Sequence, residues 1–133
     1  PTEKGERAIL NFGHTIGHAI EKAKNFELLH GECVALGCVA AAFISWKREL
    51  LSMEEYYEIR DMFVPFNLPI TIDDIDPDEI LRLIASDKKV EGDKIKFILL
   101  KKVGKAFIDT SVTKDEIMSG IQEIYFKEED EHE

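Results

Sequence analysis

Apolar positions along the chain recur at helical spacing in five segments and alternate in one short stretch, which predicts a mainly helical domain with a minor β element. Ala8, Ile9, Leu10, Phe12, Ile16, Ala19, Ile20 and Ala23 cover most of the circumference of a first helix, expected from about Glu6 to Lys24. Asn25 to Leu29 then forms a short connection into His30-Gly31. The next helix, about Glu32 to Leu50, is apolar nearly all round over Cys33 to Trp46 and is therefore expected at the centre of the core.

Local end signals divide the rest of the chain. Ser52 with Glu55 reads as a capping box opening a third helix to about Phe63. Pro65 and Pro69 break the chain on either side of Phe66-Asn67-Leu68. Asp76, Pro77 at the first helical position and Glu79 start a fourth helix that ends near Ser86. Asp87 to Asp93 reads as a loop. Lys94 to Leu100 and Ala106 to Val112, joined through Val103-Gly104-Lys105, read as a small β hairpin. Thr113 with Glu116 forms a second capping box and opens a last helix to about Phe126.

Within the first helix, Arg7, Asn11, His14 and His18 stand at i, i+4, i+7 and i+11. They fall at roughly 0°, 40°, −20° and 20° around the axis, a narrow polar line about 16 Å long. Between Ala8 and Ile20 there is no Lys, Asp or Glu. A solvated helix face is broad and rich in such residues, so this line reads as one wall of a reaction cleft. Gly13 and Gly17 each cost about 1 kcal/mol relative to Ala in a helix interior. The reading preferred for them is close helix–helix approach at a small-x-x-x-small pair.

Composition narrows the classes. The 133 residues suit one domain, taken as residues 1–127, followed by an acidic disordered tail at 128–133. That tail supplies −5 of the formal net charge of −10. The acidic balance argues against a nucleic-acid partner, which requires a basic patch. It leaves room for an anionic small molecule, because the field inside a cleft can oppose the net charge. No 18-residue apolar run is present to span a membrane, and Pro1-Thr2-Glu3-Lys4 has no signal-peptide character. Cys33 and Cys38 lack C-x-x-C spacing and read as small core residues, which fits a reducing cytoplasm.

The candidate chemistry centres on histidine. His14 and His18 can turn both rings toward one point, and His30 follows after a connection short enough to fold back. Two neutral imidazoles joined by a carboxylate would give the His₂Glu set of a catalytic zinc site. Spacing alone leaves open which two of the three bind metal. Arg7 offers a bidentate fork for carboxylate or phosphate, with Asn11 beside it. Lys88 and Lys89 follow a helix end, where a cation is favoured by the dipole alone. Glu32 could donate an oxygen to a metal, but the preferred reading is a helix-start acid beside His30. Neither G-x-G-x-x-G nor a P-loop is present, so no dinucleotide module lies within these residues.

The motifs Glu3-x-Gly5-x-Arg7, Leu10-Asn11-Phe12-Gly13-His14-Thr15-x-Gly17-His18-Ala19-Ile20-Glu21 and Leu29-His30-Gly31-Glu32-x-Val34-Ala35-x-Gly37 closely resemble 3-dehydroquinate synthase. Asp87-Lys88-Lys89 and the Phe97 to Leu100 run before Gly104 match the same family. The resemblance extends over essentially the whole chain but only to the C-terminal, helical half of that enzyme; the NAD-binding α/β half is not in these residues. It implies conversion of 3-deoxy-D-arabino-heptulosonate 7-phosphate to 3-dehydroquinate and phosphate in the shikimate pathway, the route to aromatic amino-acid precursors. NAD is used catalytically there, together with a divalent metal, zinc or cobalt. The implied sequence is oxidation, phosphate elimination, reduction and intramolecular aldol closure, a carbon–oxygen lyase reaction.

By motif position the resemblance makes His14 and His30 metal ligands, with a third, glutamate ligand in the other half. It makes His18 a contact for the substrate phosphate or a proton-relay water, Asn11 and Lys88 phosphate contacts, and Arg7 the grip on the substrate carboxylate. His18 and Lys88 are thereby the candidate catalytic residues. It further implies a homodimer for the full-length enzyme and no activity for these residues alone. A sister sugar-phosphate cyclase, a metal-dependent polyol dehydrogenase and a non-catalytic helical interaction module are the competing readings. Asn11 to Thr15 and Asp87-Lys88-Lys89 favour the dehydroquinate synthase.

Overall fold

The computed structural model describes residues 13–87, 94–102 and 105–125. The order is α1 (His14–Ala23), α2 (His30–Lys47), α3 (Met53–Asp61), a 3₁₀ turn at Val64–Phe66, α4 (Pro77–Asp87), β1 (Lys94–Lys102), β2 (Lys105–Thr113) and α5 (Lys114–Ile124). This is the mainly helical domain with a small hairpin that the sequence predicts. The expected start of the first helix, the 128–133 tail, and all but one residue each of the expected Asp87-to-Asp93 loop and Val103-Gly104-Lys105 turn lie outside the described residues; Asp87 instead closes α4 and Lys105 opens β2.

Helix α2 is the hub, packing against α1, α3, α5 and β1. Its apolar run requires this: Leu36, Val39, Ala40, Ala41, Ala42 and Ile44 are essentially solvent-free. Small side chains along it let the neighbouring helices come close. A Cβ on Gly17 would stand 2.7 Å from the Cys33 carbonyl oxygen, and one on Gly13 would stand 2.7 Å from that of Val34. A Cβ on Gly37 would overlap the Gly13 carbonyl. The pairing of 13 with 38 and of 17 with 33 makes α1 and α2 antiparallel neighbours in backbone contact. The close approach expected of Gly13 and Gly17 is what the structure shows, and Gly37 is its third member. One cluster, from Ile16 and Ile20 through Tyr56, Ile80 and Ile84 to Leu99, Ile117 and Ile121, unites the elements into a single core.

Both capping boxes form. Ser52 Oγ accepts from Glu55 N–H at 3.1 Å while Glu55 accepts from Ser52 N–H at 2.8 Å. Thr113 and Glu116 repeat the exchange at 3.2 and 3.0 Å. Asp76 caps α4 through Asp78 N–H at 3.0 Å. Helix ends differ from expectation where tertiary contacts intervene. Helix α2 stops at Lys47 rather than near Leu50, because Glu49 turns left-handed (φ 64°) and the following Leu51 drops into the core. Helix α5 stops at Ile124 rather than near Phe126, because Tyr125 extends to pair with Ile72 in a parallel bridge. Helix α3 ends at Asp61, short of Phe63, and Pro65 sits inside the 3₁₀ turn rather than simply breaking the chain.

The hairpin is antiparallel, with register irregularities between Ile95 and Phe97 and between Leu100 and Lys102. Arg48, just past α2, holds β2 to the start of α5. Its guanidinium donates to both Glu116 oxygens at 2.6 and 2.8 Å, to Asp109 at 3.1 Å, and to the Ser111 hydroxyl and carbonyl at 3.0 Å each. On the far side, Tyr56 stacks on Trp46 and donates to Glu123 at 2.6 Å. Among the described residues, no helix is long and apolar enough to cross a membrane.

Two outcomes follow from this packing. Gly37→Ala is expected to destabilise the fold by about 3 kcal/mol, since backbone must move. Gly31→Ala, which meets nothing within 4 Å, is expected to stabilise it by about 0.5–1 kcal/mol; chemical denaturation measures both. The Arg48 hydrogen bonds hold the Glu116 carboxyl below its usual value of 4.5. A depressed carboxyl contributes stability above its unfolded value, and that contribution is lost as pH falls through the folded one. The advantage of the wild type over Glu116→Gln, which keeps the capping box, should therefore be full above about pH 5 and shrink on further acidification. An advantage independent of pH between 6 and 3 would contradict it, with both limits set roughly about the ordinary glutamate value.

Candidate functional site

Helix α1 buries Ile16, Gly17, Ala19, Ile20 and Glu21 and leaves His14 exposed and His18 partly so. The two histidines are one helical turn apart and their rings stack, with centroids 5.3 Å apart and planes within 8°. His30 is the first residue of α2, and its side chain is 65% exposed. The chain reverses between them in a tight helix ending. Asn25 N–H reaches the Lys22 carbonyl at 3.0 Å and Phe26 N–H the Glu21 carbonyl at 2.8 Å. This is the paired bonding of a Schellman motif, with Asn25 and Phe26 both left-handed (φ 54° and 60°). Asn tolerates that conformation, whereas a Phe there is strained. Lys24 secures the turn from outside through the Asp74 carboxylate at 2.6 Å.

Glu21 joins the histidines. Its residue exposure is 8%, and one carboxylate oxygen meets His30 Nδ1 at 2.8 Å while the other lies 3.5 Å from His18 Nδ1. Burial alone would raise the Glu21 carboxyl, but the hydrogen bonds to His30 and His18 outweigh it and hold the group below its usual value. Neither motif nor spacing assigns Glu21 a role above. A signal was present, because Glu21 lies three residues after His18 and roughly −40° around the axis, so the polar line continues to it.

The site is therefore a chain of contacts: His14 stacked on His18, His18 beside Glu21, and Glu21 bonded to His30. Seven residues, about 10 Å of helical rise, separate His14 from Glu21, whose carboxylate holds His30. With Nδ1 engaged, His30 has Nε2 left for another partner. Among the described residues no group of three His, Cys, Asp or Glu side chains is placed to hold a metal ion. Two imidazoles from consecutive helices, one oriented by a buried carboxylate, suit a divalent transition metal as a partial donor set.

Other candidates fall elsewhere. Arg7, Asn11, Lys88, Lys89 and Glu3 lie outside the described residues. Glu32 accepts from Leu29 N–H at 3.0 Å, the helix-start role expected of it. Cys33 and Cys38 are free and buried as expected, and burial pushes their thiols up to about 11 and about 12. Such thiols are poor nucleophiles and metal ligands.

A family described as 3-dehydroquinate synthase C-terminal matches residues 1–90. The chain is 41% identical over 123 residues to a 3-dehydroquinate synthase of Dehalococcoides mccartyi, covering 92% of this chain and 34% of that protein. It is 45% identical to the 3-dehydroquinate synthase of Acetivibrio thermocellus, over 75% of this chain and 28% of that one. The chain thus spans about a third of the length of the curated relatives it matches. Among solved structures, a 2-deoxy-scyllo-inosose synthase complexed with carbaglucose-6-phosphate, NAD⁺ and Co²⁺ superposes with a TM-score of 0.72 at 30% identity, over 85% of this chain and 34% of that one. A 2-epi-5-epi-valiolone synthase from Streptomyces hygroscopicus with NAD⁺ and Zn²⁺ bound superposes with a TM-score of 0.74 at 26% identity, over 86% of this chain and 32% of that one.

Proposed function

Because the chain belongs to the 3-dehydroquinate synthase family, we propose that it forms the helical, metal- and substrate-binding part of an enzyme converting 3-deoxy-D-arabino-heptulosonate 7-phosphate to 3-dehydroquinate and phosphate. In this reading the enzyme is a cytoplasmic lyase of the shikimate pathway, a homodimer of a longer chain that also contains an NAD-binding domain. The observation that carries it is the His14–His18–Glu21–His30 contact chain on a helix pair whose backbones touch. Identities of 41–45% to dehydroquinate synthases, against 26–30% to the two solved cyclases of other specificity, support this substrate over theirs.

His14 and His30 would hold the metal, with the third ligand coming from the NAD-binding domain. The fit rests on the donors present: His14 is exposed, and His30 has Nδ1 occupied by Glu21 and Nε2 free for a ligand. When bound, NAD supplies reversible oxidation of a ring hydroxyl, and a zinc or cobalt ion polarises the oxygens it meets.

This chain's own residues bind, orient and move protons. Arg7 grips the substrate carboxylate through its guanidinium. Asn11 and Lys88 hold the phosphate, and Lys88 compensates its charge as it departs. His18, partly exposed and stacked on His14, contacts the phosphate end or a relay water and carries the proton at a ring nitrogen. Arg7 and Lys88 supply positive charge locally, so the net charge of −10 does not oppose an anionic substrate.

The test is phosphate release from the heptulosonate phosphate with NAD and zinc. The 133-residue chain alone should show none, and the chain joined to an NAD-binding α/β domain bearing the glutamate ligand should turn over. Release by the chain alone would contradict the division of labour. Calorimetry on the chain should show weak zinc binding that falls by more than about tenfold on His14→Ala or His30→Ala. Unchanged affinity after either substitution would refute that ligand assignment.

A further inference from the structure

We propose that Glu21 is a positioning residue that dictates which ring nitrogen His18 and His30 each present to the cleft. The inference rests on the proposed roles of those two histidines. An ionised carboxylate can only accept hydrogen bonds. A neutral His30 whose Nδ1 lies 2.8 Å from a Glu21 oxygen must therefore carry its proton on Nδ1. Its Nε2 lone pair is left bare and directed away from Glu21. The second Glu21 oxygen stands 3.5 Å from His18 Nδ1 and biases that ring the same way, more loosely. A neutral imidazole free in water favours the opposite tautomer, with the proton on Nε2.

Three features separate this from an ordinary surface ion pair. Glu21 is 8% exposed, on the face of α1 that also buries Ile20 and Gly17, so its position is set by core packing. Its backbone carbonyl accepts from Phe26 N–H and closes the turn that returns the chain toward His30. Each of its oxygens faces a different histidine, so one carboxylate serves both rings at once. The consequence for chemistry is a division of atoms. Nε2 of His30 is the ligand atom, and Nε2 of His18 is the atom that accepts and returns a proton while Nδ1–H stays on Glu21. No net proton is gained by the carboxylate in that exchange.

Glu21→Gln is nearly isosteric and separates the two bonds. Its amide has one accepting oxygen and one donating nitrogen. It can keep the Nδ1–H form of only one ring, and must turn the other to Nε2–H. The experiment is long-range ¹H–¹⁵N correlation of the histidine rings in the 133-residue chain at about pH 8.5, where an ordinary imidazole is neutral. The wild type should show Nδ1–H for His30 and an Nδ1–H bias for His18. Glu21→Gln should switch at least one of them to Nε2–H, and Glu21→Ala should switch both. The same variants should bind Co²⁺ about 10 to 100-fold more weakly and with an altered d–d spectrum.

If both rings keep their tautomers in Glu21→Gln and Glu21→Ala, the inference is overturned, whatever the metal does. If the tautomers switch while His14→Ala and His30→Ala leave Co²⁺ affinity unchanged, Glu21 positions the rings but the ligand assignment fails. An unchanged fold in Glu21→Gln, read from the backbone amide spectrum, assigns any loss to the rings rather than to the core.

Discussion

The contact that everything else depends on is the approach of α1 to α2 at Gly13, Gly17 and Gly37. Backbone meets backbone there, and a single methyl at Gly37 would occupy the space of the Gly13 carbonyl. That closeness leaves no room for side chains between the helices on their inner faces. His14 and His18 thereby stand on the outer edge of α1, one turn apart with stacked rings. A wider helix pair would need larger apolar side chains in the seam and would move His30 away from Glu21. The glycines destabilise the isolated helix, and the dispersion and burial gained along the seam offset that cost.

The second constraint is the reversal between the helices. Five connecting residues and Lys24 must turn the chain through an antiparallel return and deliver His30 beside the helix it has just left. The Schellman bonds to Lys22 and Glu21, and the left-handed Asn25 and Phe26, accomplish this. Glu21 therefore acts twice. Its carbonyl fixes the turn, and its carboxylate receives the first side chain after it. A histidine at a helix start, 65% exposed, would otherwise sample many rotamers. Held by a buried acid, it presents one edge, which is the preorganisation that a metal ligand or proton carrier requires.

What the sequence reveals follows the range of the interactions. Ser52 with Glu55 and Thr113 with Glu116 are capping boxes whose partners lie three residues apart, and both form as their residues predict. The centrality of α2 was legible because an all-round apolar helix has only one stable location. Helix ends were less legible because they are decided by distant partners: Tyr125 leaves α5 to pair with Ile72, and α2 stops so that Leu51 can enter the core. At the site, the three histidines are visible from type and spacing, whereas residue type alone does not distinguish Glu21 from the other acids of the chain. Its distinction is burial between two imidazoles, a property of the folded helix pair. Arg7, Asn11 and Lys88 remain assignments by motif.

The central claim is that this helix pair contributes two imidazole ligands to a metal whose remaining ligand comes from an NAD-binding domain. Anomalous diffraction at the zinc edge, from crystals of the enzyme that contains this chain joined to that domain, addresses it directly. The account predicts one peak bonded at about 2.0–2.1 Å to a ring nitrogen of His14 and to Nε2 of His30, with Glu21 still on His30 Nδ1. A peak bonded instead to His18, or no peak near the α1–α2 pair, would contradict it.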